Sequence, residues 1–106
     1  MASSKAYLDF ILEQLSQLGD VTYRAMMGEY ILSYHDKVFG GIYDDRFLVK
    51  PVPAAVRMMP DASREHPYEG AKEMLLVERL EDPAFLKELI TAMDPELPEP
   101  KKKRRK

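Results

Sequence analysis

The chain has no cysteine among its 106 residues and only two histidines, His35 and His66. The absence of cysteine excludes disulfides, thiolate nucleophiles, cysteine-bound zinc and iron–sulfur clusters. Two histidines are too few for a histidine-rich metal site. We therefore expect no metal and no cofactor, and the composition fits a reducing compartment.

Long apolar runs are also missing. No stretch approaches the about 20 apolar residues that a membrane-spanning helix needs, and no basic-then-apolar signal peptide opens the chain. An apolar share of 45% against 32% charged residues is typical of a globular protein. We expect a single folded domain in the cytoplasm.

Charge is unevenly distributed, although the net charge is only −2. Residues 101–106 are all Lys or Arg and carry a charge of +6. Residues 1–100 contain the other ten Lys and Arg and all eighteen Asp and Glu, so their net charge is −8. Phosphates are met by Lys and Arg, so the acidic body is a poor general surface for nucleic acid. The basic run consists of Lys101, Lys102, Lys103, Arg104, Arg105 and Lys106.

This basic run has three interpretations. It is a possible nucleic-acid contact that neutralises phosphates. Its composition also matches a nuclear localisation signal. The third interpretation, a solvated and disordered end, is the usual one for charge runs and is favoured here.

Hydrophobic periodicity predicts the order helix, four strands, short helix, strand, helix. The first helix has Ser3 and Ser4 as caps and Gly19 as its stop, and Asp82-Pro83 starts the last helix. Between them, turns are expected at Gly28, His35-Asp36-Lys37 and Asp44-Asp45, with a short helix over 54–59, a turn-rich connection over 61–71 and a strand over 74–77.

This order predicts an α+β domain, in which an antiparallel sheet of about five strands has N- and C-terminal helices packed on one face. We place the domain at residues 1–94. Prolines 95, 98 and 100 then predict an extended stalk, so residues 95–106 form a stalk and a basic disordered tail.

No motif for catalysis is present. The chain lacks the Gly-x-Ser-x-Gly elbow, the Gly-x-Gly-x-x-Gly fingerprint and the phosphate loop. Gly40-Gly41 lies inside a strand pattern, which favours a bulge or a close backbone approach. Asp44 and Asp45 are interpreted as turn residues, and His35 and His66 as surface turn residues. We therefore expect no catalytic residues.

Two groups of polar residues leave alternatives open. Arg24, Arg46 and Lys50 either form an anion-binding edge or blunt exposed sheet edges, and the second is the commoner use. The segment His66-Pro67-Tyr68-Glu69-Gly70 is the best candidate for a functional loop. The alternative that we favour for it is a packed Tyr68 with Gly70 at positive φ.

Three segments in this order, residues 24–30, 38–50 and 67–70, resemble the TfoX N-terminal domain of the TfoX/Sxy family of bacterial competence regulators. The resemblance runs from residue 5 to 94 and is closest to short, single-domain members. The chain departs from the commoner Met-Phe-Gly-Gly-Tyr pattern at Met27 and at Glu29. The resemblance implies an α+β fold like that of secretion chaperones and no catalytic residues. Named members regulate competence genes positively, but they carry a second, helical domain.

The functional prediction is a non-enzymatic regulatory or interaction module, accessory to transcription, with an unidentified protein partner and no membrane contact. The alternative is weak non-specific nucleic-acid binding through the basic tail. An enzyme or small-ligand protein, ranked last, would need a pocket with convergent polar groups near His66 and Tyr68. Exposed strand edges often pair, which also allows a homodimer.

Overall fold

The computed structural model describes residues 4–26 and 28–97. These residues form three α-helices, six strands and two short 3₁₀ turns. In chain order they are α1 (Lys5–Gln14), a 3₁₀ turn (Ser16–Leu18), β1 (Val21–Met26), β2 (Glu29–Tyr34), β3 (Lys37–Ile42), β4 (Phe47–Val49), α2 (Pro53–Met58), β5 (Arg64–Glu65), β6 (Met74–Leu76), α3 (Pro83–Met93) and a 3₁₀ turn (Asp94–Glu96).

The strands build one antiparallel sheet in the order β1-β2-β3-β4-β6-β5. The first four strands follow one another along the chain, and β6 then enters between β4 and β5. The α+β prediction is confirmed. The predicted number of strands, about five, misses the two-residue β5, which lies within the connection predicted as turns.

Two tight turns connect β2 to β3 and β3 to β4. His35 and Asp36 have φ angles of 54° and 66°, and Asp44 and Asp45 have 55° and 56°. Two consecutive residues with positive φ are typical of the hairpin turn whose twist matches that of the strands, and Asp tolerates this region better than most residues. Both predicted turns are confirmed, although Lys37 already belongs to β3.

Gly40 and Gly41 let β3 pass closely between its neighbours. The β2–β3 register shifts between Leu32, which pairs with Gly40, and Ser33, which pairs with Val38, so the extra residue is Phe39, next to the glycine pair. A Cβ at Gly40 would lie against the Leu48 carbonyl oxygen of β4. The predicted bulge or close approach is therefore confirmed, and both explanations apply.

Helices α1 and α3 begin at the predicted caps, whereas the predicted stop Gly19 ends a 3₁₀ turn and not α1 itself. The Ser4 hydroxyl accepts from the Tyr7 amide at 3.1 Å, and the Asp82 carboxylate accepts from the Phe85 amide at 3.1 Å. The α1 helix ends at Gln14, and a 3₁₀ turn continues the chain to Gly19, whose φ is +84°. Such caps satisfy amides that the helix itself leaves unpaired.

The main core lies between the helices and one face of the sheet, called here the inner face. It joins helix residues such as Leu8, Ile11 and Leu89 to strand residues such as Phe47 and Val49, all fully buried. The core extends past the predicted domain end, because Leu97 is only 5% exposed. Residues 95–97 therefore form a turn packed on the core instead of the start of a stalk. The remaining stalk, the basic run Lys101–Lys106, the cap Ser3 and the family difference at Met27 lie outside the described residues.

Candidate functional site

The face of the sheet opposite the helices, called here the outer face, has a small apolar cluster of its own. Leu48 is fully buried although its neighbours Phe47 and Val49 point to the inner face. Tyr43 is 7% exposed, and its ring lies over Gly41, where a Cβ would come within 2.8 Å of it. Side chains alternate along a strand, so β4 is buried on both faces. Some part of the chain must therefore cover the outer face.

Residues 66–73, called here the covering segment, provide that cover. Pro67 is buried, and the ring of Tyr68 lies 6.3 Å from that of Tyr43, centre to centre. The Ala71 amide donates to the Tyr68 carbonyl at 3.1 Å, and Gly70 between them has a φ of +89°. The predicted positive φ of Gly70 is confirmed. The prediction of a packed Tyr68 is wrong, because its side chain is 62% exposed.

Arg46 fixes the covering segment to the sheet. Its Nη1 lies 2.7 Å from Glu65 Oε1, and its Nη2 donates to the carbonyls of His66 and Pro67 at 3.3 and 3.4 Å. Its Nε donates to the Tyr43 carbonyl at 3.1 Å. The planar guanidinium suits such a fork of acceptors. Arg46 is thus a structural anchor, and neither predicted role, an anion-binding edge or an edge-blunting charge, describes it.

His66 also serves the covering segment. Its Nδ1 lies 2.6 Å from the Ala71 carbonyl oxygen, and its Nε2 lies 4.0 Å from Glu73 Oε2. These contacts close the segment into a compact loop. His66 is exposed, as predicted, but its polar contacts are structural. Among the described residues, no hydrogen bond links either histidine to a serine hydroxyl.

A groove of about 760 Å³ lies beside the covering segment. Its size falls within the range of about 300–1,000 Å³ that is typical of small-molecule sites. Tyr68 forms part of the lining, whereas His66 does not, so the groove meets only in part the requirement stated above for a small-ligand protein. The lining residues include Val38, Tyr43, Lys50, Val52, Tyr68, Met74 and Glu96.

Lys50 is the notable charged group of this groove. Burial lowers the pKa of its ammonium group, because the charged form loses hydration. No carboxylate in the described part of the chain lies within 4.0 Å of its Nζ. Sequence reasoning grouped Lys50 with Arg24 and Arg46, but the three residues differ. Arg24 is exposed on the edge strand β1, as the edge-blunting interpretation expects, while Lys50 enters a groove.

A second charged cluster lies at the turn between β2 and β3. His35 Nδ1 is 3.2 Å from Asp94 Oδ2, and Lys37 Nζ donates to the Asp94 carbonyl at 3.1 Å. These contacts join the turn to the end of α3. Within residues 4–26 and 28–97, no group of His, Asp and Glu side chains is placed to hold a metal ion, and no helix could cross a membrane.

The geometry defines an α+β domain with a groove beside its covering segment, called here the outer groove. This groove offers the half-buried ammonium group of Lys50, the phenols of Tyr43 and Tyr68, and apolar walls. The family model of the TfoX N-terminal domain matches residues 13–92. An uncharacterized 12.7 kDa protein from the trpE 5′ region of Spirochaeta aurantia is 32% identical over 108 residues, covering 100% of this chain and 93% of that protein. No solved structure matches. The chain belongs to the TfoX N-terminal domain family.

Proposed function

We propose that the chain is a non-enzymatic regulatory module of the cytoplasm that acts by binding a protein partner, accessory to transcription. Family membership supports a regulatory domain. The observation that carries the proposal is the open edge strand β1, where backbone groups are accessible for pairing with another strand.

β1 presents a surface suited to strand addition. Its last five residues are exposed, with Tyr23 and Met26 each 46% exposed. The His35 amide donates to the Asp20 carbonyl at 3.4 Å. In the β1–β2 register, Asp20 and every second residue after it therefore direct their backbone amides and carbonyls toward β2. The backbone groups of Val21, Tyr23 and Ala25 consequently point away from β2. A free edge with outward amides and carbonyls is a template for another strand.

A second copy of this chain fits the edge. In a twofold antiparallel pair centred on Tyr23, the outward groups of Tyr23 in both copies exchange hydrogen bonds. Val21 then lies opposite Ala25, and Thr22 opposite Arg24, so no two like charges lie directly opposite each other. A pair centred on Arg24 would place two guanidinium groups side by side, which is unfavourable. The Tyr23-centred homodimer is the simplest form of the proposed interaction.

The test uses sedimentation velocity of the full chain over a range of concentrations, with Ala25→Pro and its matched control Ala25→Ser. Proline removes an outward amide and leaves the β2-facing bonds in place. We expect concentration-dependent dimers for the wild type and Ala25→Ser, and monomers for Ala25→Pro. A second variant, Tyr23→Lys, should weaken the dimer without touching the backbone. A wild type that stays monomeric, or a folded Ala25→Pro variant that dimerises normally, would refute the pairing.

Regulation is tested separately in the cells that produce the protein. Transcripts are compared between cells that lack the gene and cells that carry the wild type, Ala25→Pro or Ala25→Ser. We expect a defined set of transcripts to change on deletion and to be restored by the wild type and Ala25→Ser only. If deletion changes no transcript, the regulatory proposal is wrong.

The second candidate function is weak, non-specific nucleic-acid binding through Lys101–Lys106, which the separation of +6 from −8 favours. Fluorescence anisotropy with duplex DNA at several salt concentrations would compare the full chain with a variant in which these six residues are Gln. We expect the variant to lose binding. For the full chain, the slope of log affinity against log salt should be no steeper than about −5, the value for six neutralised phosphates. Equal binding of both proteins would contradict a role for the tail.

A further inference from the structure

The outer groove contains the ammonium group of Lys50, which has no carboxylate within 4.0 Å in the described part of the chain. Burial alone lowers the Lys50 pKa, without a contribution from a neighbouring carboxylate. Because Lys50 loses hydration and gains no anionic neighbour within 4.0 Å in the described part of the chain, an anion entering the groove would relieve this loss.

The two carboxylates of the groove have other contacts. Glu96 Oε1 accepts from the Ala54 amide at 2.8 Å, next to the start of α2. Glu73 faces His66 across 4.0 Å in the covering segment. Lys72 also lines the groove, but it is exposed and its charge is hydrated. Lys50 is therefore the group that an incoming anion would meet inside the groove.

The walls favour an apolar and aromatic body. Tyr43 and Tyr68 lie with their rings tilted by 57° and 6.3 Å apart, and the ring of Tyr68 is largely exposed toward solvent. Val38, Val52 and Met74 add apolar surface around them. Aromatic rings pack well against tyrosine in offset or edge-on arrangements. A ligand ring could cover Tyr68 while its acidic group reaches Lys50.

The number of donors indicates the kind of acid. Phosphate recognition commonly uses an arginine fork or a helix N-terminus in addition to lysine. Arg46, the nearest guanidinium by sequence, already binds Glu65 and three carbonyls. One ammonium matches one monovalent acid. We infer that the outer groove binds small aromatic monocarboxylates, with Lys50 as the residue that contacts the carboxylate.

This inference does not depend on the proposed dimer, which uses β1. The test titrates the full chain with benzoate, with the uncharged isostere benzamide, and with inorganic phosphate, at constant pH and ionic strength. Binding is followed by ¹H–¹⁵N spectra. We expect saturable shifts for Lys50 and residues 66–73, and benzoate to bind at least tenfold more tightly than benzamide. Phosphate should give no saturable shifts in this region.

Two lysine variants identify the contact. Lys50→Met keeps most of the side-chain volume and removes the charge, so it should bind benzoate no more tightly than benzamide. Lys87→Met, which removes an exposed charge on α3, should keep the wild-type preference. Lys50→Arg should retain most of the preference. The spectrum of each free variant reports whether it is folded. Equal binding of benzoate and benzamide by the wild type, shifts outside the groove, or no saturation by benzoate would overturn the inference.

Discussion

Replacing Arg46 with Met should destabilise the domain and release the covering segment. The substitution keeps an unbranched apolar stem but removes one ion pair, to Glu65, and three hydrogen bonds, to the carbonyls of Tyr43, His66 and Pro67. Three of these contacts join Arg46, the residue before β4, to residues about twenty positions further along the chain. Their loss therefore acts on tertiary structure.

The size of the effect follows from the exposure of the partners. The side chains of Arg46 and Glu65 are 28% and 30% exposed, so the ion pair lies between the surface and buried cases and should contribute about 1 kcal/mol. Hydrogen bonds from a charged group contribute about 1.5–3 kcal/mol when buried. The bonds to His66 and Pro67, at 3.3 and 3.4 Å, are long and weaker. We expect a loss of about 2–4 kcal/mol in the free energy of unfolding, the upper part of the usual range for one substitution.

Urea unfolding measures the global effect, and hydrogen exchange of the Ala71 amide measures the local one, since its bond to the Tyr68 carbonyl lies within the covering segment. Exchange at Ala71 should accelerate more than exchange in α3. Arg24→Met is the matched control and should change stability by no more than about 0.5 kcal/mol, because Arg24 is exposed. If Arg46→Met unfolds at the wild-type urea concentration and Ala71 remains protected, Arg46 does not anchor the segment.

Three further changes test the packing and the caps. Gly40→Ala should cost more than Gly41→Ala in urea unfolding. A Cβ at Gly40 meets only backbone atoms, of Leu48 and Val49, whereas one at Gly41 meets the Tyr30 carbonyl oxygen less closely, at 2.5 Å, and its other close contacts are with the Tyr43 side chain, which can move; overpacking of this kind costs about 1–3 kcal/mol. An equal loss for both would contradict this account. Leu48→Ala should cost about 2–5 kcal/mol, as expected for a fully buried leucine; a loss below 1 kcal/mol would mean that the outer cluster is not a packed core. The pKa of Asp82 lies below its ordinary value, chiefly because its carboxylate accepts from a helix amide, so its contribution to stability is present above about pH 4 and is lost as the pH falls through the folded-state value. Acid unfolding of Asp82→Asn should therefore depend less on pH in that range than that of the wild type, and an unchanged profile would count against the cap.

Local features of the fold could be predicted because they depend on neighbouring residues. Asp82 followed by proline indicates a helix start without knowledge of the rest of the chain. The paired polar residues His35-Asp36 and Asp44-Asp45 indicate turns for the same reason. In contrast, β5 has only Arg64 and Glu65, with no apolar alternation, and exists because β6 pairs with it. Such a strand leaves no periodic signal in the sequence.

The site could be predicted only in part, because its contacts join distant residues. The loop His66–Gly70 is a candidate from the sequence because ligand contacts concentrate on loops, and Tyr68 does line the groove. The anchoring role of Arg46 depends on carbonyls about twenty residues away, which no spacing reveals. That Lys50 has no carboxylate within 4.0 Å in the described part of the chain depends on where the fold places the acidic residues, which the sequence does not show. The one available signal was a lysine directly after the buried strand Phe47–Val49.

The position of β6 has a consequence for the order of folding. Only two to four residues separate consecutive strands from β1 to β4, so their pairing closes very short loops and loses little chain entropy. Pairing of β6 with β4 must instead close the long path through α2 and β5. We therefore expect strands β1 to β4 to pair early in folding and β6 to pair with β4 late. Until β6 docks, one edge of β4 is unpaired, which makes the partly folded chain vulnerable to pairing with the wrong strand.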